Sequence, residues 1–306
     1  MEKLLITGAA GLVGSAVRNA AGNAGYDVIP LVGRRACDLT VPSDVFALFR
    51  YIKPDFVCHL AADVFGVGGN LKFPGQVFYN NTLMNTVVIE ASRTVGVKKL
   101  VAMGSAAMYS DDVELPMKES DAMLSLPHSS EYGYAFSKRA MLAQLECYRS
   151  QYGLDFGFVI ATNMYGPHDK FDTQYGHVVP SLIRKFFDAQ RSGAVVSIWG
   201  DGSPTRDFVY SLDAAAGILR ILDSGSGAYN LATGKSCSIR RLVEIISAHF
   251  PGVDYHWDIE KPLGQLARSY DVGRIASIGF SPSYSLESGI SETVAWVRDN
   301  LNIIRG

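Results

Sequence analysis

Short apolar runs alternate with longer stretches whose apolar residues recur at helical spacing, and this rhythm fills the first half of the chain. The runs at 4–7, 27–32, 55–62, 99–103 and 156–161 have no polar face of period two, as expected of strands buried on both sides of a parallel sheet. The segments at 15–21, 76–95 and 134–148 place apolar residues three and four apart, which predicts helices packed on that sheet. Alternation of this kind predicts an α/β fold, a doubly wound parallel sheet. After residue 163 the rhythm loosens. A helix is predicted to open at His177-Val178-Val179-Pro180, with a strand and turn over 195–202. Arg206–Tyr210 leads into a helix over 212–222, and 229–232 returns as a last strand of the main sheet. A helix at 239–249, a strand at 253–257, a basic loop at 261–268 and a terminal helix from about 287 to 300 complete the chain. Residues 66–70 read as a flexible loop. The expected division is 1–163 plus about 208–232 for one domain, and about 164–207 plus 233–306 for a smaller mixed α/β domain.

The first strand ends in Gly8-Ala9-Ala10-Gly11-Leu12-Val13-Gly14, and a helix follows at once. A glycine turn between a buried strand and a helix aims backbone N–H groups and the positive end of the helix dipole at an anion. Small residues there admit a pyrophosphate, and the last glycine lets helix and strand pack closely. Order and position favour a dinucleotide-binding, Rossmann-type turn over a plain tight turn. The second strand runs into Gly33-Arg34-Arg35 with no carboxylate before Asp38. A guanidinium suits a 2′-phosphate, whereas NAD enzymes usually place an acid there. NADP(H) is thus favoured over NAD(H), the alternative being a solvated basic loop. Leu60-Ala61-Ala62 ends the third strand in small residues that a cofactor can approach, and His59 before them reads as a packed core histidine.

Tyr134 and Lys138 are four apart, so on a helix they leave the same face. An ammonium beside a phenol lowers the tyrosine pKa from about 10 towards the range of a proton-transfer catalyst. Ser105, just past the fourth strand, stands where strand ends carry sites, although serine after glycine is also an ordinary turn.

Composition narrows the field further. A chain of 306 residues, 48% hydrophobic and 19% charged, is ordinary for a globular protein. A net charge of −2 with no basic run argues against nucleic acid as a partner. Cys37, Cys58, Cys147 and Cys237 are far apart with no C-x-x-C pair, so no metal site is expected. The N-terminal apolar run is too short for a signal peptide, and nothing approaches the roughly 20 apolar residues of a membrane span. A cytoplasmic protein is expected.

Thr7-Gly-Ala-Ala-Gly-Leu-Val-Gly14, Ser105, Tyr134-x-x-x-Lys138 and Thr162-Asn-Met-Tyr-Gly-Pro-His-Asp169 stand in the order and spacing of extended short-chain dehydrogenases that act on nucleotide sugars. The whole chain resembles the GDP-L-fucose synthase branch of that family, including Trp199-Gly-Asp-Gly-Ser-Pro-Thr-Arg-Asp-Phe208 and Lys261-Pro-Leu-Gly-Gln-Leu-Ala-Arg268. The resemblance implies that Tyr134 protonates a C4 keto oxygen during hydride transfer, that Lys138 tunes it, and that Ser105 orients the carbonyl. It implies a cofactor site of Gly8, Ala10, Gly11, Leu12, Val13, Gly14, Arg34, Arg35, Asp38, Leu39, Leu60, Ala61, Ala62, Asn81, Lys138, Asn163 and His177. The sugar nucleotide, with GDP favoured, falls to Ser105, Ala106, Ala107, Tyr134, Asn163, Val178, Arg184, Trp199, Arg206 and Arg268, domain packing being the alternative for Arg184 and Trp199. In relatives the helices at 76–95 and 134–148 form a homodimer interface.

One departure bears on the reaction. The family inverts C3 and C5 with a cysteine base two residues after the serine and a histidine acid. The histidine matches His177, but the cysteine position is Ala107. Ser110 and Gly133 also replace prolines usual in the family. The expected activity is a 4-keto reductase with weakened or lost epimerisation. Complete epimerisation and reduction with another base, a 4-epimerase holding NAD, and a cofactor-sensing regulator remain as alternatives.

Overall fold

A computed structural model describes residues 1–261, 266–301 and 304. Elements follow in the order β1 (Lys3–Thr7), α1 (Leu12–Asn23), β2 (Asp27–Leu31), α2 (Pro42–Ile52), β3 (Phe56–His59), α3 (Val67–Lys72), α4 (Pro74–Val95), β4 (Lys99–Met103) and α5 (Tyr132–Tyr152). Next come β5 (Phe156–Ala161), β6 (Asn163–Tyr165), α6 (Val178–Ser192), β7 (Val196–Trp199), β8 (Thr205–Tyr210), α7 (Ser211–Ser224) and β9 (Gly227–Leu231). The chain closes with β10 (Ser236–Ser238), α8 (Ile239–Ser247), β11 (Tyr255–Asp258), α9 (Gly273–Ser277) and α10 (Leu286–Asn300).

The main sheet has six strands in the order β2-β1-β3-β4-β5-β9, every pair parallel. Alternate residues of its central strands feed two cores, because successive side chains on a strand point to opposite faces. Leu5, Val57, Leu100 and Phe158 join Val45 and Phe49 of α2, Val88 of α4 and Leu145 of α5. Leu4, Ile6, Cys58, Val101 and Val159 join Val17 of α1 and Ile218 and Ile221 of α7. Helices therefore cover both faces, and the apolar runs without alternation are explained. Thr7, Leu31 and His59 are level in the register, so these strands end along one edge.

A third core lies outside this sheet. Phe186 and Ile183 of α6, Ile198 of β7, Phe208 of β8, Leu242 and Ile246 of α8, and Val294 of α10 pack together. Two small sheets frame it, β10-β8-β6 and β11-β7. Residues 208–210 pair with β6 in the first of these rather than with the main sheet, whereas α7 and β9 belong to the main layers. Position 66–70 departs from expectation. Instead of a flexible loop, α3 forms, because Gly66 N–H donates to Tyr175 O (2.7 Å) and the buried Asn70 side chain donates to Phe65 O (3.2 Å). Residues 262–265 of the basic loop lie outside the described residues. No helix among the described residues is long and apolar enough to cross a membrane.

Candidate active site

The glycine turn has the close approaches that make glycine obligatory. Gly8 has a φ of +69°, and a Cβ there would lie 2.8 Å from Ala61 N. A Cβ on Gly14 would lie 2.1 Å from Gly8 O, so α1 presses its first turn directly onto the end of β1. No side chain caps α1, whose N-cap is Gly11, and its first N–H groups have no intrahelical acceptor. Such a cradle fits a pyrophosphate. Beyond β2, Arg34, Arg35 and Asp38 line an open cleft of about 420 Å³ with Asp44 and Tyr51. Asp38 accepts from Thr40 N–H (3.0 Å) and Thr40 Oγ1 (2.7 Å), and these bonds and the charge of Arg34 lower its pKa. Leu39 is buried.

Beneath the turn a buried network fixes the strand ends. Thr7 Oγ1 accepts from the N–H groups of Leu60 and Ala61, both at 3.1 Å, and lies 2.8 Å from His59 Nδ1. His59 Nε2 lies 3.0 Å from Asn85 Oδ1. With its lone pairs committed to two backbone donors, the Thr7 hydroxyl donates to Nδ1, so Nε2 carries the ring proton and donates to Asn85. Burial, with the nearby Lys138 charge, lowers the His59 pKa to about 3. The core role read for His59 is the one the structure gives it. Asn81 is spent on the backbone, donating to Asp63 O and Val77 O and accepting from Asp63 N–H, so it shapes the segment after Ala62.

Ser105, Tyr134 and Lys138 meet where β4 ends against the start of α5. Ser105 accepts from Ala107 N–H (3.1 Å), and its hydroxyl lies on the Tyr134 side of the turn, where it lowers the phenol pKa. Lys138 Nζ donates to Met103 O at 2.8 Å and lies 5.5 Å from the Tyr134 ring centre. The electrostatics differ from expectation in one respect. Burial and the Glu131 carboxylate push the Tyr134 pKa up, and only Ser105 lowers it. Burial lowers the pKa of Lys138 itself to about 7. Tyr134 is accordingly held as a neutral phenol, the form that can donate a proton.

Ala107, 3% exposed, belongs to a small apolar cluster with Val77, Tyr134 and Ala135, against which Phe65 and Phe73 pack. A Cβ on Gly133 would lie 2.4 Å from Pro74 O, so the first turns of α4 and α5 touch where the family usually has proline. Ser110, the other departure, bonds within its own turn to Asp112. Cys58 is buried within β3 and Cys147 exposed on α5; neither belongs to the Ala107 cluster.

The remaining predicted residues spread outward. Asn163 Nδ2 donates to Asp207 O (3.2 Å). Arg206 is partly buried, and burial together with neighbouring Arg268 lowers its pKa. Arg268 is buried and donates to Ala106 O (3.0 Å). His177 is exposed as the N-cap of α6, with Val178 behind it. Arg184, about two turns on, pairs with Asp188 at 2.9 Å. Trp199 is 62% exposed at the end of β7. Glu131 and Asp111, the acids beside Arg268, were missed by sequence reasoning. Only the one-turn spacing of Glu131 from Tyr134 could have flagged either of them. Among the described residues, no cluster of three His, Cys, Asp or Glu side chains could hold a metal ion.

A parallel sheet with a glycine cradle at one strand end and Ser, Tyr and Lys at another defines a dinucleotide-dependent oxidoreductase. The chain belongs to the NAD dependent epimerase/dehydratase family, which it matches over residues 4–232. Within that family it is similar to GDP-L-fucose synthases. It is 34% identical to GDP-L-fucose synthase 1 of Arabidopsis thaliana, covering 98% of this chain and 94% of that one. The solved GDP-L-fucose synthetase of Naegleria fowleri bound to NADP superposes with a TM-score of 0.92 at 29% identity, over 100% of this chain and 95% of that one. The GDP-mannoheptose C4 reductase of Campylobacter jejuni with NADP bound gives 0.86 at 25% identity, over 97% and 98%.

Proposed function

We propose that this enzyme is an NADPH-dependent reductase of a nucleotide-linked 4-keto sugar, with GDP as the nucleotide, and that it has lost 3,5-epimerisation. The observation that carries the reading is the Ser105–Tyr134–Lys138 grouping beside Ala107, which lies in an apolar cluster. NADP bound to the Naegleria fowleri and Campylobacter jejuni relatives supports the cofactor, and their GDP-sugar names support the substrate class. NADPH supplies the hydride when bound. Gly8, Ala10, Gly11, Leu12, Val13 and Gly14 would hold its pyrophosphate, with Arg34 and Arg35 at the 2′-phosphate and Leu60–Ala62 beside the rings.

Tyr134 would give its proton to the C4 oxygen as charge develops there. Ser105, beside the phenol, would donate to the same oxygen and fix the carbonyl. Lys138 would hold the ribose. Arg206 and Arg184 carry the charge for a diphosphate, and Trp199 offers a flat apolar face to a base. Epimerisation needs a group that removes a proton next to the ketone, worth about 10²–10⁴-fold. Ala107 has none to offer, although His177 retains the matching acid position. A homodimer through the outer faces of α4 and α5 and a cytoplasmic location complete the proposal.

The test is reduction of a GDP-4-keto-6-deoxy sugar by enzyme and NADPH in D₂O. The expected product carries no deuterium at C3 or C5. Label at both carbons, entering at the rate of turnover, would make the enzyme a complete epimerase/reductase instead.

A further inference from the structure

Arg268 stands somewhere that a diphosphate ligand need not stand. Its side chain is 7% exposed, and Nη1 donates to Ala106 O at 3.0 Å. Nη2 faces the carboxylates of Glu131 at 3.7 Å and Asp111 at 3.9 Å, ion pairs longer than hydrogen bonds. The backbone around it is stitched down from both sides. Met117 N–H donates to Ser269 O and Asp271 N–H to Met117 O, each at 2.9 Å, while Ser236 Oγ donates to Arg268 O at 3.1 Å.

What this side chain joins is specific. Ala106 directly follows Ser105, and Glu131 is the N-cap of α5, one turn ahead of Tyr134. One guanidinium thus touches the turn that carries the serine and the helix start that carries the tyrosine. A cation is needed there, because Glu131 and Asp111 both converge on the spot beside a buried phenol. The other charged or titratable groups facing the cluster are Arg206, Tyr270, and His128, which lies 3.9 Å from Asp111.

We infer that Arg268 is a positioning residue which, together with Glu131, fixes the Ser105 turn against the first turn of α5 and so sets the placement of Ser105 relative to Tyr134. This assignment rests on the reductase reading, and it gives Arg268 a different task from binding the nucleotide. A guanidinium so engaged contributes to kcat through geometry. A misplacement of about 1 Å between reacting groups costs on the order of 10²-fold in rate.

The experiment compares Glu131→Gln, Arg268→Gln, Arg268→Lys and the Glu131→Gln/Arg268→Gln double variant. For Glu131→Gln, kcat is expected to fall about tenfold, and for Arg268→Gln about 100-fold, with KM for the sugar nucleotide and the calorimetric Kd of GDP held within about twofold. The double variant should be no slower than Arg268→Gln, because the two act as a unit. Arg268→Lys should recover part of the loss. Amide exchange at Ala106, Ala107 and Met108 should quicken in Glu131→Gln and Arg268→Gln alike. A GDP Kd weakened about tenfold in Arg268→Gln with kcat unchanged would make Arg268 a diphosphate ligand and overturn the inference. So would a Glu131→Gln protein with wild-type kcat and exchange, and this partly exposed position carries the test if Arg268→Gln does not fold. Wild-type enzyme that reduces no 4-keto sugar defeats the reductase reading alone, since the exchange comparison still decides whether Arg268 and Glu131 hold the turn.

Discussion

In the proposed reaction Tyr134 is the proton donor, and its surroundings hold it in the donor form. Burial and Glu131 hold it neutral, so Tyr134→Phe should remove the transferred proton and little else. Turnover is expected to fall by about 10²–10⁴-fold, with NADPH affinity by calorimetry near wild type. A loss of less than about tenfold would return the protein to the cofactor-sensing alternative. Lys138 gives a second prediction. Its folded pKa is lowered to about 7, whereas an unfolded lysine titrates near 10.4. Between these values the unfolded chain binds more protons, so stability rises with pH through that window. Wild-type protein should therefore gain stability over Lys138→Met from pH 7 to about 10, by on the order of a few kcal/mol. Thermal melting of both proteins across that range checks it, and parallel curves would count against the buried-lysine assignment. The pair itself was legible from its spacing. Its electrostatics were not, because the sign of each shift comes from burial and from Glu131, and burial is set by segments distant in sequence.

At the level of elements, the glycine turn was the most readable part of the chain. Strand, glycine and helix appear in order, and each glycine has a steric reason that spacing alone suggests. Gly14→Ala tests that reason. A methyl group 2.1 Å from Gly8 O must push α1 off β1, at about 1–3 kcal/mol by analogy with overpacked cores. The stabilisation that NADPH gives in a thermal melt should shrink with it, and an unchanged shift would clear Gly14 of any part in the cradle. By contrast, α3 was hidden. Its glycines argued for a loop, and what overrides them is Tyr175 O, supplied from about 100 residues away. The short strands β6 and β10 were missed for the same reason, since their three residues each carry no period of their own.

For the whole molecule, the order of strands in space differs from their order along the chain. The main sheet is completed by β9, which pairs with β5 only after the chain has left to build β6, α6, β7 and β8. Sequence hinted at this return through the apolar run at 229–232, but the pairing of 208–210 with β6 was beyond it, because edge pairing depends on which neighbour is nearest in space. The topology also has a consequence during synthesis. A nascent chain that has emerged as far as β5 has every glycine of the turn after β1 and both Tyr134 and Lys138, yet β5 still lacks a neighbour on one side and α1 lacks α7. Such an intermediate presents an open strand edge and an uncovered apolar helix face. Until Leu231 leaves the ribosome, the half that carries the proposed site keeps that edge unpaired.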